Sequence, residues 1–192
     1  MLRLFLQITF LFWTTLCYAQ TDFFQTLADS AETLTQDHVI YDPGYFSIAY
    51  PNGDVPKGKG VCTDVIIRAY RKLGIDLQKE VHEDMSANFN TYPKIWGLTS
   101  TDKNIDHRRV PNLMKFFEQH GEILVKSRQA ADYKPGDIVC WDLGRGITHI
   151  GILVKQLRGT RPYVVHNIGA GQVIEDVLFN YKIIGHYRYD GL

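Results

Sequence analysis

Three side chains, Cys62, His149 and His166, have the types and settings for a nucleophilic mechanism. Cys62 follows Gly60-Val61 and begins a stretch whose apolar residues recur at helical spacing. That places it in a first helical turn, where free main-chain amides and the positive end of the helix dipole favour a thiolate and lower the thiol pKa. Gly58 and Gly60 leave room just before it for a substrate carbonyl to approach. His149 interrupts the apolar run Gly146-Ile147-Thr148-His149-Ile150-Gly151-Ile152, and His166 interrupts a second, Tyr163-Val164-Val165-His166. A buried imidazole without a partner is costly, and two neighbouring antiparallel strands would set these rings side by side. A thiol nucleophile needs a base, and the base needs a third polar group to fix its tautomer. Cys62, His149 and His166 fill those roles in that order. Asn167 is the alternative third member, because adjacent strand residues face opposite sides. A plainer reading stands beside this one: a buried cysteine on a helix face and two core histidines bonded to main chain.

Other residues carry weaker assignments. Asp64 reads as an acid favoured by the helix start, or as a further catalytic or substrate-binding group. Arg108 and Arg109 form a pair able to grip a substrate carboxylate; the competing reading is a solvated face or a structural pairing with Asp102 or Asp106. Tyr50 reads either as a cleft residue and oxyanion donor or as loop packing. Asp137 closes the turn after Pro135-Gly136. Cys140 lies in an apolar strand and reads as inert core, so no Cys62–Cys140 disulfide is expected.

The elements that must hold these residues follow from periodicity. Phe24, Leu27, Ala28, Ala31 and Leu34 have helical spacing, and a turn-rich region follows from Tyr41 to Gly60. Val61–Leu73 reads as an amphipathic helix with Gly74 as its stop. Asp84–Arg109 shows no clear period. Pro111 opens a short helix closed by Gly121. Asp137–Asp142, Ile147–Val154, Tyr163–Ile168, Gln172–Val177 and Ile183–Tyr189 read as strands. Helices first and strands afterwards predict an α+β domain with N-terminal helices packed on a C-terminal antiparallel sheet.

Composition narrows the classes. The chain has 192 residues with 21 basic and 21 acidic side chains, so no bulk positive field exists to attract nucleic acid. No Gly-rich phosphate loop follows a strand, and no nucleotide cofactor is implied. Residues 1–19 carry Arg3, an apolar run from Leu4 to Trp13 and a small residue, Ala19, at the end, which is the pattern of a cleaved signal peptide. Lipidation at Cys17 and a retained anchor are the alternatives. The expectation is export to the periplasm or the extracellular space, membrane contact only during export, and one domain over residues 20–192, monomeric.

The Cys-helix, the Gly/His/Gly strand, the polar residue on the next strand and Lys134-Pro135-Gly136-Asp137 before them resemble the NlpC-type papain-like cysteine peptidases and amidases. More closely, Gly60–Val65, Asn104–Asn112, His149-Ile150-Gly151 and His166–Gly169 resemble an uncharacterised family of exported bacterial proteins, a domain of unknown function. The resemblance implies a papain-like (NlpC-like) fold with Cys62 as nucleophile, His149 as base and His166 as orienting residue. It also implies amide hydrolysis through a thioester, in cell-wall (peptidoglycan) peptide, with no cofactor. Val61-Cys62-Thr63 departs from the usual Asp-Cys-Ser of the superfamily, and Asn104–Asn112 has no imported role. Acyl transfer to an amine or alcohol is the enzymatic runner-up. A Cys/His/His zinc site and a non-catalytic wall-fragment binding module are the alternatives from other classes. The zinc option lacks any short paired ligand spacing.

Overall fold

The computed structural model describes residues 23–155 and 161–191. The segment read as a signal peptide lies outside them, and no helix among the described residues is long and apolar enough to cross a membrane. Helix α1 (residues 23–33) buries Phe24, Leu27, Ala28 and Ala31 along one stripe. Strand β1 (Ile40–Tyr41) then pairs in parallel with β2 (Lys59–Gly60), closing the turn-rich region at its base. Helix α2 (Cys62–Lys72) starts at Cys62 with Val61 as its N-cap. Helix α3 (Leu77–Ala87) is capped by Asp76, which accepts hydrogen bonds from the amides of Gln78 and Lys79. Helix α4 (Val110–His120) carries Pro111 in its first turn, where a missing amide costs nothing, and stops at Gly121.

Helix α3 falls where the polar sequence gave no reading, although Leu77, Val81 and Met85 recur every four residues and are fully buried. The expected strands are present with trimmed ends: β4 (Ile138–Asp142), β5 (Thr148–Val154), β6 (Tyr163–His166), β7 (Val173–Glu175) and β8 (Lys182–Arg188). With the short β3 (Glu122–Ile123) they form a six-stranded sheet in the order β3-β8-β4-β5-β6-β7. Every pairing in it is antiparallel. The architecture is therefore mixed α and β, with helices on an antiparallel sheet.

Alternation along the strands divides the core. Ile138, Cys140, Ile150, Ile152 and Val165 join the helices in one cluster, while Val139, Trp141, Leu153 and Val164 form a second across the sheet. Gly151 sets the spacing between β5 and β6. A Cβ there would lie 2.5 Å from Val164 Cγ1 and 3.2 Å from His166 Cβ. Only glycine lets the strand carrying His166 approach this closely.

Candidate active site

Cys62 is the first residue of α2, and its side chain is buried at the wall between helix and sheet. The main-chain amide of Ile150 on β5 donates to its sulfur, as do those of Cys62 and Thr63. Burial outweighs these donors and pushes the Cys62 thiol up to about 12, with Asp64 adding in the same direction. The lowered pKa expected from the helix start is therefore corrected. The dipole favours a thiolate, but desolvation of the charge is the larger effect. Cys140 is also free and buried, and burial raises its thiol too.

His149 Nε2 lies 2.9 Å from His166 Nδ1, and His166 Nε2 lies 2.9 Å from Glu175 Oε2. A carboxylate only accepts, so His166 Nε2 carries a proton and donates it to Glu175. In neutral His166 the remaining nitrogen, Nδ1, is then an acceptor, and His149 Nε2–H donates to it. That leaves the lone pair of His149 on Nδ1, the nitrogen a general base needs. Burial pushes the His149 imidazole down to about 3, with His166 adding to the shift. Burial also lowers His166, against the opposing pull of Glu175. Both rings rest neutral.

Trp141 is the register partner of His149, and their ring centroids are 5.8 Å apart. The imidazole thus stands with Trp141, whereas the thiol meets β5 at Ile150 from the helix side. Among the described residues no hydrogen bond joins Cys62 to His149. Thr148, the residue before His149 at the start of β5, lines the same cleft as Cys62.

That cleft has a volume of about 180 Å³ and is lined by Tyr41, Cys62, Trp96, Arg109 and Thr148 among others. Tyr41 was not among the sequence candidates. Its phenol is raised by burial and, next, by Cys62, and its place follows from register, because Tyr41 pairs with Gly60, two residues before the cysteine. Tyr50 takes no part: its hydroxyl points to Glu83 at 3.4 Å and its ring packs edge-on to His82.

Several other sequence expectations are corrected by the contacts. Asn167 does not reach the imidazoles; its Nδ2 donates to Gly60 O at 3.2 Å and its Oδ1 accepts from Gly169 N, tying the end of β6 to the loop before Cys62. Asp64 is structural. Its Oδ2 accepts from the Val61 amide at 2.7 Å, and the carboxylate receives Arg108 Nε at 3.0 Å and Nη2 at 3.2 Å. Arg108 therefore pairs with Asp64 and not with Asp102 or Asp106. Nη1 and Nη2 also donate to Gly44 O and Asp42 O, so four of its five N–H groups are held by the protein itself. Gly60 is buried, with Arg68 and Asp64 close on its α-carbon side, so packing and not substrate approach explains it. Both arginines line the cleft, but Arg109 has no carboxylate partner among the described residues.

The Asn104–Asn112 segment, which had no role, builds one wall of this cleft. Asn104 Oδ1 accepts from Ile48 N, and buried Asp106 accepts from Asp102 N at 2.7 Å and meets His82 Nδ1 at 2.9 Å. Asn112 Nδ2 donates back to Asp106 O at 3.0 Å. The turn so locked presents Arg108 to Asp64 and Arg109 to the ring of Trp96. Asp137 likewise does more than close its turn, since it also meets His186 Nε2 at 2.8 Å and Arg188 Nε at 2.6 Å. No group of three or more His, Cys, Asp or Glu suited to a metal occurs among the described residues.

A family model described as "Domain of unknown function (DUF1287)" matches residues 28–189, and the chain belongs to that family. It is 51% identical over 164 residues to "Uncharacterized protein YijF" of Escherichia coli (strain K12), covering 85% of this chain and 80% of that one. Among solved structures, NlpC1 from Trichomonas vaginalis is similar with a TM-score of 0.46 and 15% identity over 85% of this chain. NlpC2 from the same organism is similar with a TM-score of 0.45 and 14% identity over 86% of this chain. The chain spans less than half the length of each of these two structures.

Proposed function

We propose that this protein is an exported cysteine amidase or peptidase of papain-like, NlpC type that hydrolyses an amide bond in cell-wall peptide. The observation that carries the reading is the hydrogen-bonded series His149–His166–Glu175, which ends on β5 one residue from the main-chain donor to the Cys62 sulfur. In this reading His149 Nδ1 takes the thiol proton as sulfur attacks the substrate carbonyl. The imidazolium then gives that proton to the departing amine, leaving a thioester on Cys62. Water, deprotonated by His149, attacks the thioester, and the thiol leaves with its proton restored. The resting pair is neutral, so the proton moves with the attack and not before it. Amides at the start of α2 and the Tyr41 hydroxyl are the donors for the oxyanion. The chain is read as acting as a monomer outside the cytoplasm, its residues 1–19 removed on export.

The test is digestion of purified peptidoglycan by the secreted protein, followed by mass spectrometry of the soluble products. Wild type should release peptide fragments; Cys62→Ala should release none while keeping its thermal midpoint.

The second reading, a binding module that holds wall fragments without cutting them, is favoured by one observation, the buried, neutral thiol without a bond to His149. Retention of wild-type protein on peptidoglycan with no released product, unchanged in Cys62→Ala, would select it.

A further inference from the structure

Arg109 is the one guanidinium of the cleft with nothing to neutralise it. Arg108 beside it is spent on Asp64 at 3.0 Å, whereas Arg109 takes part in no ion pair among the described residues, and its Nη1 is buried without a hydrogen-bond partner. Its guanidinium lies 4.4 Å from the centroid of the Trp96 ring. Trp96 itself is 56% exposed and sits in the left-handed region at φ 66°, a strained conformation for a bulky residue. Stacking occupies one face of the guanidinium, and with Nη1 buried the edge formed by Nε and Nη2 is the one that can grip a carboxylate with two parallel bonds. Both residues line the cleft that holds Cys62.

We propose that Arg109 and Trp96 form a subsite for a carboxylate of the substrate, so that this protein takes peptides bearing an acidic group close to the bond presented to Cys62. The ring of Trp96 holds the guanidinium in place from one side and offers its outer surface to the apolar part of the same ligand. The inference rests on the proposed function for where the bond lies, but not for the binding itself.

Calorimetric titration of the full-length Cys62→Ala protein with two probes tests it. N-acetyl-Ala-Glu carries two carboxylates, and N-acetyl-Ala-Gln-amide has the same shape with none. The charged peptide should bind at least about ten-fold tighter. Arg109→Gln should abolish that difference, Arg109→Lys should keep part of it and so exclude misfolding, and Trp96→Ala should weaken the charged peptide. Equal affinities for the two probes, no binding of either at millimolar concentration, or a preference that survives Arg109→Gln would overturn the proposal. Carboxylate preference without any cleavage of peptidoglycan by wild type would instead count against the hydrolase alone.

Discussion

Asp64 and Arg108, 44 residues apart in sequence, form a buried two-pronged ion pair directly behind Cys62. The same carboxylate caps α2 through the Val61 amide, so one side chain fixes both the start of the helix and the wall of the cleft. Removing one partner leaves a buried charge uncompensated. Arg108→Met should cost about 3 kcal/mol of stability, read from urea denaturation, while Arg109→Gln should stay within about 0.5 kcal/mol. Equal losses for the two arginines would contradict their separate roles.

Glu175 fixes which nitrogen of His166 carries the proton, and through it which nitrogen of His149 is basic. Glu175 does not touch the cleft, so Glu175→Ala should lower kcat on wall peptide with KM unchanged. Nitrogen NMR should then show His166 as a mixture of tautomers where wild type shows one. His149→Ala should lower kcat by at least about 100-fold. A Glu175→Ala enzyme with unaltered kcat and a single His166 tautomer would remove the carboxylate from the relay.

The thiol raised to about 12 gives an unusual reactivity profile. At pH 8 only a small fraction is ionised, and iodoacetamide should modify Cys62 about a thousand-fold more slowly than a free thiol of pKa about 8.5. The rate should climb tenfold per pH unit into the alkaline range. Rapid labelling below pH 8 would mean a standing thiolate–imidazolium pair instead.

Two buried imidazoles tie stability to pH. His149 and His107 are each pushed down to about 3 by burial, so between pH 3 and about 6.5 the unfolded chain binds more protons than the folded one. Stability therefore rises with pH across that window and is lost as pH falls through it, by up to about 1.4 kcal/mol per unit for each ring. His107→Gln should flatten the dependence of the urea midpoint between pH 4 and 6, and an unchanged slope would show that His107 is not held neutral.

Local pattern made part of this molecule legible. The start of α2 at Cys62 and the two histidine strands could be read because their apolar residues keep the periods of helix and sheet over whole elements. Glu175 could not, since one acid on a three-residue strand looks like any solvated side chain until β6 is laid beside it. Tyr41 depends on a parallel bridge to Gly60, and Arg108 on a partner far along the chain. The thiol pKa departs from the sequence expectation for a related reason: a helix start is visible in sequence, but how deeply it is buried is set by everything packed on it.

Strand β7 is the outermost of the sheet, three residues long and paired on one side only. Its amides should exchange with solvent through brief local openings that leave the rest of the fold closed. Each opening separates Glu175 from His166 while His149 and Cys62 stay where they are. The outer end of the proton relay is therefore held by one of the weakest ladders in the protein, and the fraction of molecules with a complete relay is set by fraying of an edge.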